Sequence, residues 1–286
     1  MVTTRKSKVA ILSIVSNTIL IVLKIIAGIL SGSVSIISEA IHSGMDLLAS
    51  LVAFFSVRAS SKPADEDHPY GHGKIENISG IIEGILILIA SGMIIFESIR
   101  KIINPVSIEN ELISSIVMFI SGFVNFLVSQ KLYKVAKEED SMALEADALH
   151  LKTDVYTSIG VGVAILLIKI TKIHVFDSII AIAVAILIIK EAYELIKNGF
   201  DEIIDRRLSD EEENEIRQVI EKHKEEFENY HKLKTRKSGN TKHADFHITV
   251  KSDMTVKEAH DIIGNIKKDM NDKFKSIRIT IHVDPK

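Results

Sequence analysis

Residues 39–46 read Glu39-Ala-Ile-His42-Ser-Gly-Met-Asp46, and residues 147–154 read Asp147-Ala-Leu-His150-Leu-Lys-Thr-Asp154. Each run has an acid, a histidine three positions on, and an aspartate four positions further. On a helix these three side chains fall along one stripe. Both runs belong to long apolar segments, 34–57 and about 143–168, and a bilayer span needs roughly 20 mostly apolar residues to cross a core of about 30 Å. An aspartate inside such a span costs at least ~2.5 kcal/mol, so the stripe must turn away from lipid, where it usually marks a substrate or proton path. Two facing helices of this kind present two imidazoles and two carboxylates. That set, His42, Asp46, His150 and Asp154, suits a tetrahedral zinc ion and needs no thiolate. Glu39 and Asp147 fit positions behind the ligands or near helix ends equally well and are left outside the set. The competing reading, interhelical hydrogen bonding, explains a single polar residue in a span better than a pattern repeated on two helices.

Working outward, four more apolar windows bring the expected spans to six. Window 9–30 has Lys24 as its only charge, 78–99 holds Glu83 and Glu97, 112–129 has none, and 175–189 is short and continues as a polar helix. A signal peptide over residues 1–31 is disfavoured because the apolar stretch exceeds a typical signal core and no A-x-A site follows. Arg5, Lys6 and Lys8, then Arg58, Lys62 and Lys74, then Lys131, Lys134 and Lys137, and finally Arg206 and Arg207 fall on one side of this arrangement. The alternate connections carry fewer basic residues, so both termini are expected in the cytoplasm. Charge density divides the chain again: 39 charged side chains in residues 1–205 against 34 in the 81 residues 206–286. Two solvents are implied, hence a membrane domain over 1–205 and a soluble domain over 206–286. With no cysteine among 286 residues there is no disulfide or thiolate site, and metal ligands must be His, Asp, Glu or backbone oxygen.

The soluble part reads as helix 209–229 with Ser209 as cap, strands 230–236 and 244–250 around a Ser238-Gly239-Asn240 turn, helix 255–274, and strand 276–284. This αββαβ order makes a two-layer domain small enough for dimerisation to help bury its core. His247, His282 and Asp284 share the polar faces of alternating strands, and His231 and His260 can join them in a site for one or two metals. Ordinary exposed histidines are an equal reading there, and His174, His223 and His243 are assigned to it. The connection 63–74, Pro-Ala-Asp65-Glu-Asp-His68-Pro-Tyr-Gly71-His72-Gly73-Lys74, can supply an accessory site from Asp65, His68 and His72, with a solvated polar loop as the alternative. The soluble part is nearly neutral and lacks a basic stripe, which excludes a nucleic-acid binder. No HExxH occurs, and a closed quartet leaves no open coordination position, which argues against a membrane metalloenzyme. A passive metal channel would differ from an exchanger in ignoring a pH gradient.

Taken together, His42 to Asp46, His150 to Asp154, the segment from Asp65 to Glu76 and the distal His282-Val-Asp284 resemble the cation diffusion facilitator family of proton-coupled divalent-metal exporters, over nearly the whole chain. The resemblance implies an α-helical membrane protein of six transmembrane helices with a C-terminal αββαβ, metallochaperone-like cytosolic domain that dimerises and regulates. It implies a homodimer in the lipid bilayer, with divalent metal ions and protons as its partners, a transport site at His42, Asp46, His150 and Asp154, and a loop site at Asp65, His68 and His72. It further implies cytosolic-domain ligands at His231, His247, His260, His282 and Asp284, and an inter-subunit charge interlock between Lys74 and Asp205. Family members often carry Asp where His42 stands, and manganese exporters lack the His pairs, so zinc is the expected metal, with cadmium, cobalt, iron or manganese as alternatives. No His-rich loop joins the fourth and fifth helices, as in compact prokaryotic members, which places the chain in the inner membrane.

Overall fold

The computed structural model describes residues 4–31, 34–103, 111–171 and 175–286; the side chains of some helical residues, Glu39 and His42 among them, lie outside the described residues. The chain divides into two units, one of residues 1–63 and 75–200, the other of Ala64–Lys74 and Asp201–Lys286.

Among the described residues the first unit has six long helices: α1 (Arg5–Ser31), α2 (Val34–Ser60), α3 (Ile75–Ile103), α4 (Glu111–Glu138), α5 (Met142–Thr171) and α6 (Val175–Ile203). Among the described residues, two segments, Arg5–Leu30 and Ile75–Ile103, meet the length and apolarity needed to cross a membrane. Val9 and Ala10 of α1, Val57 of α2, Leu132 and Val135 of α4, and Leu144 and Leu151 of α5 form one buried cluster. A second joins Ile87 of α3 to Ile188 and Ala192 of α6. Those two helices approach closely at Gly84 and Gly199, where an added Cβ would lie 2.6 Å from Ile196 and 2.9 Å from Ile81.

Burial is inverted relative to a protein folded in water. Ile19, Ile26, Ile82, Ile89, Phe119, Phe123, Ile186 and Phe200 are exposed, whereas Ser13, Asn17, Lys24, Asp46, Ser50, Glu83, Asn125 and Asp147 are buried. Such a surface is stable only against an apolar solvent, and its polar interior demands internal partners. The most connected of those is Glu76 at the start of α3, 2% exposed. Its carboxylate accepts from Lys6 Nζ of α1 at 2.9 Å, from Ser60 Oγ of α2 at 2.7 Å, and from Ser141 Oγ just ahead of α5. One side chain thereby ties together the ends of four helices.

The second unit contains α7 (Asp210–Lys222), β1 (Asn229–Ser238), β2 (Thr241–Val250), α8 (Val256–Lys273) and β3 (Ile277–Pro285). Ser209 with Glu212, and Thr255 with Glu258, form capping boxes that satisfy the free N–H groups of α7 and α8. The sheet order is β1-β2-β3, antiparallel across the hairpin and parallel between β2 and β3, with α8 as crossover. Gly239 turns the hairpin at φ +58°, a conformation that favours glycine. Helix α7 ends at Lys222, short of the expected 229. Its C-cap is His223, and Phe227 then turns into the core formed by Ile216, Ile220, Phe246, Ile248, Ile266 and Met270. Burying that ring decides the end of the helix, because the Glu-rich sequence carries no Gly or Pro to stop it.

Candidate metal sites

Helices α2 and α5 bring Asp46 and His150 together: His150 Nε2 lies 3.0 Å from Asp46 Oδ1. Asp46 is 3% exposed. Asp154, one helical turn beyond His150, lines with Asp46 a cavity of about 400 Å³ that also touches Lys24, Ser121, Asn125, Thr157 and Asp177. Asn125 of α4 donates from Nδ2 to Asp154 Oδ2 at 3.0 Å. His42 occupies α2 one turn before Asp46, on the same helical stripe, and its side chain lies outside the described residues. Lys24 of α1, also buried, donates to Ser43 Oγ at 2.7 Å.

Behind Asp46 runs a polar chain. Asn17 Nδ2 donates to Ser50 Oγ at 2.8 Å, and Ser50 Oγ donates to Asp147 Oδ1 at 3.0 Å. Ser13 Oγ lies 2.8 Å from Ser50 Oγ and joins the same chain. Asp147 is fully buried and accepts from Ser50. The side chain of Glu39 lies outside the described residues. Asn17, Ser50 and Asn125 were not singled out by sequence reasoning, because one amide or hydroxyl in a span is the ordinary case.

The connection 64–74 holds a second group. His68 Nδ1 and His72 Nε2 each lie 3.4 Å from Asp65, one on each carboxylate oxygen, and the two rings are 4.6 Å apart. The His68 backbone N–H donates to Asp65 Oδ1 at 2.7 Å and, with the nearby histidines, holds that carboxyl below its ordinary pKa. Their ligand atoms lie close enough for one ion. Tyr70, between the two histidines, lies 5.0 Å from the Arg236 guanidinium and packs edge-on against the His243 ring. Arg278 donates to Pro69 O at 3.3 Å, and Lys74 Nζ to Asp205 Oδ1 at 2.8 Å, within one chain. Lys74 is the main cause of a lowered Asp205 pKa.

Strand register builds the third group. His231 pairs with His247 across β1 and β2, and His247 with His282 across β2 and β3, so three imidazoles stand in a row. Their ring centroids are 5.2 and 4.6 Å apart. Asp284, two residues beyond His282, meets His247 Nδ1 at 2.9 Å, His282 Nε2 at 3.2 Å and His231 Nε2 at 3.3 Å. The hydrogen bond from His247 and the charge of all three rings lower its pKa. His231, His247 and Asp284 place ligand atoms within reach of one ion. His260 is exposed on α8 and does not join this group within the chain.

Two histidines expected to be exposed are not. His223 folds back with Nδ1 2.6 Å from Glu226, and only 11% of its side chain is exposed. His243 is 5% exposed, and burial, with Arg236 and Arg278 nearby, lowers its pKa. His174 lies outside the described residues.

Comparison with known proteins agrees in extent. Residues 10–204 match the family model described as the cation efflux transmembrane domain, and residues 208–286 that of the cation efflux protein cytoplasmic domain. An uncharacterised transporter of Methanocaldococcus jannaschii is 32% identical over 97% of this chain and 97% of its own length. The manganese efflux system protein MneP of Bacillus subtilis is 29% identical over 97% of this chain and 95% of its own length. The cation-efflux pump FieF of Shewanella oneidensis is 27% identical, with 96% and 92% covered. A membrane-type helical unit carrying paired His and Asp, followed by a small domain with a histidine row, thus matches along both of its parts, and the chain belongs to the cation diffusion facilitator family of cation efflux proteins.

Proposed function

We propose that this protein exports a divalent metal ion from the cytoplasm in exchange for protons, by alternating access at His42, Asp46, His150 and Asp154, with zinc as the first candidate. The observation that carries the reading is the 3.0 Å approach of His150 Nε2 to Asp46 on helices whose outward faces are apolar, beside a cavity that Asp46 shares with Asp154. A dication needs fixed negative charge to leave water, and two aspartates supply it. Two imidazole nitrogens and two carboxylate oxygens match the donor set and number that zinc favours. The relatives' printed names point to cation efflux, and one of them to manganese, which keeps manganese, iron, cobalt and cadmium as alternatives.

Proton coupling follows from the chemistry of one atom. An ionised carboxylate only accepts hydrogen bonds, so Nε2 of His150 carries a proton when it faces Asp46. To ligate through that nitrogen, His150 must release the proton, and metal binding and protonation exclude each other there. Of the ordinary side chains imidazole is the one whose charge changes nearest neutrality, which suits it to exchange a metal for a proton. The loop group and the sheet-face group are proposed as accessory metal sites. The small domain is proposed to dimerise and to sense metal, both termini facing the cytoplasm from the inner membrane. Calorimetry of zinc binding in buffers of different ionisation enthalpy tests the coupling. Proton release that shrinks in His150→Gln is expected; release unchanged by that substitution contradicts it.

A further inference from the structure

The orientation of the Asn125 amide is dictated by its neighbour. Asp154 can only accept, so Nδ2 must face it, and turning the amide over would set two acceptors against each other. The carbonyl Oδ1 is therefore left on the other side, buried and without a hydrogen-bond partner among the described residues. Asn125 is 4% exposed and lines the same cavity as Asp46 and Asp154. Lys24 also lines that cavity, but its ammonium is engaged by Ser43. A buried carbonyl with no donor is costly, and a cation held between Asp46 and Asp154 would remove the cost.

The geometry points to Asn125 as a fifth ligand to the transported metal, a neutral oxygen contributed by α4 in addition to the quartet on α2 and α5. This rests on the quartet being the transport site. Its consequence is selectivity. Zinc is satisfied by four ligands in a tetrahedron, whereas manganese and ferrous ions are harder and accept more oxygen donors. A fifth oxygen shifts preference away from zinc and toward those ions, and α4 becomes part of the metal site as well as its wall.

Cobalt(II) is the probe, because its visible bands are intense with four ligands in a tetrahedron and weak with five or six. The spectrum of the cobalt-loaded full chain minus that of Asp154→Ala isolates the membrane site from the two histidine groups elsewhere. A weak difference spectrum in the natural chain is expected, becoming intense in Asn125→Leu, with the zinc-to-manganese affinity ratio rising tenfold or more. An intense tetrahedral difference spectrum in the natural chain overturns the assignment without any need for Asn125→Leu to fold. Equal weakening of zinc and manganese in Asn125→Leu, with the spectrum unchanged, would reduce Asn125 to holding Asp154 in position and also overturn it. If Asp154→Ala left cobalt binding intact, the transport site itself would be misplaced, and Asn125 would fall with it.

Discussion

At the scale of residues, the candidate site was legible to the extent that charge in an apolar helix is conspicuous. His42, Asp46, His150 and Asp154 stand out because ionisable groups inside a span are costly. Truncating Asp154 to Ala removes half of the carboxylate charge facing the ion. The expected loss is about 3 kcal/mol or more, roughly a hundredfold in metal affinity, measured by competition with a chromophoric chelator. Asn125 and Ser50 were illegible, since their significance lies in which partner each meets. His243 shows the same limit from the other direction. Its sequence surroundings are polar, but the Tyr70 ring covers it and places it among buried groups. Because its folded pKa lies below the unfolded value of about 6.5, the unfolded chain takes up the proton first, and stability is lost as pH falls through that value toward the folded one. His243→Phe should blunt the loss; hydrogen exchange of β2 amides in the full chain at pH 7 and pH 5.5 measures it.

At the scale of elements, long apolar windows located the helices of the first unit, and apolar residues at helical spacing located those of the second. The hairpin turn was legible from Ser238-Gly239-Asn240. The end of α7 was not, because the insertion of Phe227 into the core is a tertiary event. Ser209→Ala removes a capping-box acceptor and should cost about 1 kcal/mol, read as a lower thermal midpoint of the small domain. Glu76 holds more. Replacing it with Ala leaves the Lys6 ammonium, 8% exposed, without the carboxylate that neutralises it and frees Ser60 and Ser141 as well. A loss of about 3–5 kcal/mol is expected, seen as a fall in the thermal midpoint in detergent. An unchanged midpoint would mean that the four helix ends are held by apolar packing alone.

At the scale of the whole molecule, the uneven charge density implies two solvents, and the two units have opposite burial patterns: apolar outside and polar within in the first, the reverse in the second. What sequence could not convey is that the connection 64–74, with Asp65, His68 and His72, belongs to the second unit through Tyr70, Arg236 and Arg278. Those contacts join residues more than 160 positions apart and leave no local pattern. The central claim is exchange of metal for protons at the paired His and Asp. Zinc flux into proteoliposomes, with and without an imposed pH gradient and beside Asp154→Ala, tests it most directly. The account predicts zinc movement that follows the gradient and disappears in the variant. Flux indifferent to the gradient, or equal in Asp154→Ala, would contradict it.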